Sequence, residues 1–168
     1  AASDVYKRQR LPSSLEWLRK AVCEYIDEEY GHEQWILNDI AACGGDAEAV
    51  RLGQPSQAIE LMVSYLYDTI ARGNPVGLFG MVNVLEGTSI ALATQAAGTI
   101  QQRLALPPQA FSYLTSHGAL DIGHMQHYRE LMNRLERDED KAAVIHVSKV
   151  VYRPVSYTHL TLPTSDLV

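Results

Sequence analysis

From Gly73 to Gln102 the chain carries one charged residue, Glu86, in a run of thirty residues dominated by Val, Leu, Ala, Gly and Ile. A helix of that length and composition can cross a bilayer. However, Asn74, Asn83, Thr88, Ser89, Thr94 and Gln95 are scattered along the run, and neither charged flanks nor an aromatic belt frame it. The expectation is therefore the central helix of a soluble bundle, touched on every side. Gly77, Gly80, Gly87, Ala91, Ala93 and Ala97 are small enough to let neighbouring helices come close.

The rest of the chain reads as helix too. Pro12-Ser13-Ser14 opens a first helix, with Leu15, Leu18, Val22, Tyr25, Ile26 and Tyr30 at three- and four-residue steps. The pattern runs past Gly31 through Trp35, Ile36 and Ile40 and stops at Gly44-Gly45. Pro55-Ser56 opens a second helix that Gly73-Asn74 ends, and Pro75 fits the first turn of the central one. Pro107-Pro108 begins a fourth helix reaching Leu135, and Ala143, Ile145, Val147, Val150 and Val151 mark a last one. No alternating strand pattern of useful length occurs, so the fold class is an all-α bundle.

The chain is long enough for one domain with a core. Its two ends, Ala1–Gln9 and Val155–Val168, match neither the composition nor the period of what lies between, and resemble adapter read-through. They are expected to be non-native, leaving residues 10–154 as the domain and the chain as a fragment shortened at its N-terminal side. Lys and Arg total 14 against 20 Asp and Glu, a net charge of −6. That balance argues against nucleic acid or an anionic membrane as partner. Cys23 and Cys43 are too few for a disulfide framework and read as small core residues in a reducing, cytoplasmic setting.

Three motifs carry chemistry. Glu86 stands alone in an apolar helix, where a buried carboxylate protonates, pairs or binds a cation; a structural carboxyl bonded to Ser, Tyr or backbone is the ordinary alternative. His117-Gly-Ala-Leu-Asp121-Ile-Gly-His124 is H-x3-D-x2-H. On a helix Asp121 falls about 40° from His117 and His124 about 20° to its other side, so two imidazoles and a carboxylate share one stripe. Ala110, Tyr113, Leu120, Tyr128 and Leu131 lie on or beside it, which turns the stripe to the core. Third, Glu29 and His32 stand at i and i+3, an arrangement used by di-iron helical bundles. Glu28 competes with Glu29 for that role, and Asp39, two turns past His32, falls on the same stripe. His127 is turned about 80° from His117 and reads as a surface or supporting residue. His146 reads as structural, and Tyr113 and Tyr128 as packing. Glu29, His32, Glu86, His117, Asp121 and His124 together supply three carboxylates and three imidazoles, about the donor set that two iron or manganese ions need.

Glu29-x-x-His32, Glu86 within GMVNVLEGTS and HGALDIGH resemble the haem-oxygenase-like di-iron oxidases and oxygenases, the iron-containing redox enzymes. TenA thiaminases and pyrroloquinoline-quinone synthase C proteins belong to the same superfamily. The resemblance spans about Leu11 to Tyr152. It implies a seven-helix, usually dimeric bundle whose central metal pair, two iron ions, is held by these six residues with Glu86 bridging. It further implies reaction with O2 and oxidation of a small carboxylate-bearing substrate, fatty-acid-like or amino-acid-like. A metal-free TenA-like hydrolase or binding protein on the same bundle is the alternative. That chemistry uses a Cys nucleophile and leaves the His/Asp/His stripe without a purpose.

Overall fold

The computed structural model describes residues 8–159. Its helices are α1 (Glu16–Glu29), α2 (His32–Ala42), α3 (Ala47–Arg51), α4 (Gln57–Arg72), α5 (Phe79–Leu104), α6 (Ser112–Asn133) and α7 (Asp138–His159), with 3-10 turns at Ser13–Leu15, Pro75–Leu78 and Pro108–Phe111. Among the described residues there is no strand. The prolines at 75 and 108 open the two turns that feed α5 and α6, where a missing backbone donor costs nothing. Ser56 caps α4 by accepting from the Ile59 amide, and Asp46 caps the short α3 by accepting from Glu48 and Ala49. That short helix has too few apolar positions to show a period in the sequence.

The α5 helix is the post on which α6 and α7 pack. Its approach to α7 depends on Gly80: a Cβ there would stand 2.4 Å from the Val144 carbonyl oxygen and 2.6 Å from the Ser148 amide. Ser148 confirms the contact by donating its hydroxyl to the Gly80 carbonyl. One core cluster joins Leu18 and Val22 of α1, Val82 of α5, Met125, Tyr128 and Leu131 of α6 and Val144 of α7. A second joins Leu66 and Ile70 of α4 to Leu78, Val84, Val147 and Val151. Burying such side chains is the main source of stability in a bundle of this size.

Three expectations need correction. The first helix is not continuous: Gly31 adopts φ +89°, a left-handed conformation that glycine tolerates, and splits the pattern into α1 and α2. Glu29 thus ends one helix and His32 begins the next. The central helix is not covered on every side. Its first turns are buried or half-buried, but Ile90 at its middle and Leu92, Ile100 and Leu104 of its C-terminal half are exposed, and Gly87 has open space before it. Among the described residues, Pro75–Leu104 is the one stretch apolar and long enough to cross a membrane, and a little over half of its most apolar window is buried within the protein. Cys43 is exposed, at the end of α2 before the Gly44-Gly45 turn, and Cys23 is half-buried, so neither is a core residue. The boundary drawn at residue 154 falls inside α7, and Val155 packs in the second core cluster. Residues 1–7 and 160–168 of the two end segments lie outside the described residues.

Candidate metal centre

Four elements converge on one buried point: the C-terminus of α1, the N-terminus of α2, the middle of α5 and the middle of α6. Glu29, His32 and His117 bring one ligand atom each within 4.8 Å of one another, and Glu29, Glu86 and His124 do the same. Glu29 belongs to both groups. Its Oε2 lies 3.0 Å from His32 Nδ1 and 3.8 Å from His117 Nε2, and its Oε1 lies 3.6 Å from His124 Nδ1. Glu86 Oε1 is 3.9 Å and Asp121 Oδ1 3.6 Å from the same His124 Nδ1. The structure therefore brings together all six residues singled out from sequence. Five form the two groups, and Asp121 stands beside His124 outside both.

The ring orientations follow from the neighbours. His117 Nδ1 donates to the Tyr113 carbonyl at 3.1 Å, which turns Nε2 to face Glu29. His124 turns Nδ1 to the centre and Nε2 to Glu28, whose Oε2 is 3.5 Å away. Glu28 is more than half exposed and faces the outer nitrogen, so Glu29 is the inner carboxylate. Trp35 stacks on the His32 ring at 4.2 Å, and Tyr113 lies against His117 at 4.0 Å. His127 and His146 are exposed.

Electrostatically the centre is overloaded with carboxylates. Burial pushes the Glu86 carboxyl up to about 8, reinforced by Asp121, while the Tyr25 hydroxyl pulls partly the other way and Glu29 and Glu28 add to the rise. Asp121 is also raised, chiefly by burial, with Ser89, His117 and His124 opposing. Tyr128 is pushed up to about 12 by burial and the Glu86 charge. Among the described residues, the buried side-chain atoms that lack a hydrogen bond of normal geometry are both Glu86 oxygens, Asp121 Oδ1 and His124 Nδ1. Orphaned buried polar atoms are rare in folded proteins. Here they all face one spot, and an oxygen- and nitrogen-rich set with excess negative charge fits a divalent cation. The donors present therefore fit a pair of metal ions.

Two cavities flank the centre. One, about 40 Å³, is bordered by Tyr25, Glu86, His124 and Tyr128. The other, about 240 Å³, is walled by Leu85, Leu92, Ala93 and Leu114, with Ser89 and Tyr113 on its rim.

Sequence reasoning treated Tyr25 as packing and had no signal for Ser89. It placed Asp39 on the His32 stripe, which is correct. The Asp39 carboxylate, however, is spent on the first amides of α6 and not on the centre.

The all-helical bundle has the haem-oxygenase-like fold. A solved structure of a domain of unknown function with that fold, from Shewanella denitrificans OS217, superposes with a TM-score of 0.81 at 27% identity, covering 92% of this chain and 67% of that one. No curated protein matches the chain. The model of the iron-containing redox enzyme family matches residues 6–152, and the chain belongs to that family.

Proposed function

We propose that this protein is a non-haem di-iron oxidoreductase that uses O2 to oxidise a small carboxylate-bearing substrate, fatty-acid-like or amino-acid-like. The observation that carries the reading is the pair of donor groups sharing Glu29, which contain or adjoin every orphaned buried polar atom noted above. Glu29, His32 and His117 would hold one ion, and Glu29, Glu86 and His124 the other. The shared carboxylate is then Glu29 in place of Glu86, because Glu29 alone reaches imidazoles of both groups. Asp121 remains a candidate ligand on the His124 side. When bound, a ferrous pair supplies the electrons and the open positions for O2 chemistry.

The chain's own residues perform the rest. The Tyr113 carbonyl fixes the His117 tautomer, and Glu28 orients His124 from its outer nitrogen. Glu86 holds a proton in the metal-free protein and must release it when a cation arrives. The larger cavity, lined mainly by Leu85, Leu92, Ala93 and Leu114, would take the apolar body of the substrate. Its lining carries no Lys or Arg among the described residues, so the acid group of the substrate is left to face the centre. Manganese fits the same donors and is the competing metal. Among the described residues neither Cys23 nor Cys43 borders either cavity, which tells against a TenA-like nucleophile.

The test is anaerobic loading with ferrous iron. Two tightly bound equivalents per chain, and an optical change on mixing with oxygen, are expected. A bound haem, or no tight iron in the folded protein, would overturn the reading.

A further inference from the structure

The α6 helix carries three of the candidate ligands, yet it has no cap of its own. Phe111 occupies the N-cap position and offers no side-chain hydrogen bond. The cap arrives from α2. Asp39 is buried, and its Oδ1 accepts from the Ser112 amide at 3.0 Å and from the Ser112 hydroxyl at 2.5 Å, while Oδ2 accepts from the Tyr113 amide at 2.8 Å. Asp39 sits seven residues after His32, about 20° from it around α2, so both lie on the face turned to α6. On the other side, the Tyr113 carbonyl accepts from His117 Nδ1 at 3.1 Å. A path therefore runs from α2 into the Tyr113 amide, across the Tyr113 backbone to its carbonyl in the next peptide unit, and from there by a hydrogen bond to the His117 ring. It links the two elements whose histidines stand with ring centroids 4.9 Å apart.

We infer that Asp39 is a positioning residue for one half of the centre: it sets the register of α2 on α6 and so holds His32 and His117 around Glu29. The other half lies two turns further along α6, where Met125, Tyr128 and Leu131 anchor the helix in the first core cluster independently of Asp39. The effect should therefore be confined to the Glu29/His32/His117 group. This inference rests on the two-metal reading above.

Cobalt(II) titration of the full chain, followed by its visible absorption, tests it. The unaltered protein should take up two equivalents. Asp39→Ala should keep one equivalent at unchanged affinity and bind the second about ten- to a hundred-fold more weakly, the usual effect of removing a group that orients a ligand. Asp39→Asn, which keeps one acceptor oxygen, should fall between them and serves if the alanine variant does not fold. In a His32→Ala background the Asp39 change should add little, because both act on the same half. Ile70→Ala, in the second core cluster away from the centre, supplies a matched loss of melting temperature and should keep both equivalents. The inference is overturned if an Asp39 variant binds both ions like the unaltered chain, if it weakens both equally, or if Ile70→Ala reproduces its pattern. Failure of the unaltered chain to bind two ions would instead remove the two-metal reading itself.

Discussion

Glu86 makes the metal-free protein sensitive to alkali, in a direction and window that can be worked out. Its carboxyl is raised from 4.5 to about 8 in the folded state. Below 4.5 it is protonated whether the chain is folded or not, and stability is unaffected. Between 4.5 and 8 the unfolded chain releases the proton and the folded chain keeps it, so stability falls as pH rises, by up to about 1.4 kcal/mol per pH unit. Above 8 the loss is complete, with a ceiling of about 5 kcal/mol, reduced by any water that reaches the carboxyl. Glu86→Gln removes the titration but leaves a buried amide without ideal partners, a cost of about 1–3 kcal/mol at every pH. The variant should therefore be the less stable protein at pH 5 and the more stable one at pH 9. Urea unfolding in the presence of a chelator, repeated across that range, measures the crossing. A difference between the two proteins that stays constant with pH would refute the reasoning, because it would mean that Glu86 is already ionised in the folded state. Saturating ferrous iron, which requires the carboxylate, should flatten the pH dependence of the unaltered protein.

Glu29→Gln should abolish binding of both metal ions, whereas His124→Ala and His32→Ala should each leave one; elemental analysis after desalting gives the count. Glu28→Gln, which alters a group facing only the outer nitrogen of His124, should keep both ions and weaken one by about ten-fold. Gly80→Ala drives a Cβ into the backbone of α7 and should cost about 1–3 kcal/mol. Gly98→Ala, where nothing lies within 4 Å, should stabilise α5 by up to about 1 kcal/mol, and thermal melts of the two variants should move in opposite directions.

Much of this arrangement was legible in sequence, and for local reasons. Pro55, Pro75 and Pro108 mark helix starts because proline tolerates those positions and few others. His117, Asp121 and His124 share a stripe because helix geometry alone fixes their angles. Glu86 was conspicuous because a charge is rare in a helix of that composition. What escaped depended on how the helices sit against one another. Nothing in the order of residues says that Glu29, and not Glu86, lies between the two groups of imidazoles. Nor does it say that Asp39 closes the N-terminus of a helix that begins 73 residues later. The exposed apolar half of α5 was misread because an apolar run has the same composition whether or not neighbours cover all its sides.

The break at Gly31 shows how local and long-range requirements meet. On a continuous helix Glu29 and His32 would point about 60° apart, and Glu29 would be fixed to the face of its own turn. Ending α1 at Glu29 and restarting at His32 lets one carboxylate oxygen meet His32 at 3.0 Å while the other approaches His124 at 3.6 Å, across to α6. A left-handed residue is required to turn the chain so sharply, and a side chain there would add about 1 kcal/mol or more of strain. The same segment then continues as α2 to Asp39, which fastens the helix carrying His117. One stretch of the chain, residues 29–39, therefore supplies the carboxylate shared by both groups, a candidate ligand belonging to one of them, and the hydrogen bonds that fasten its partner helix.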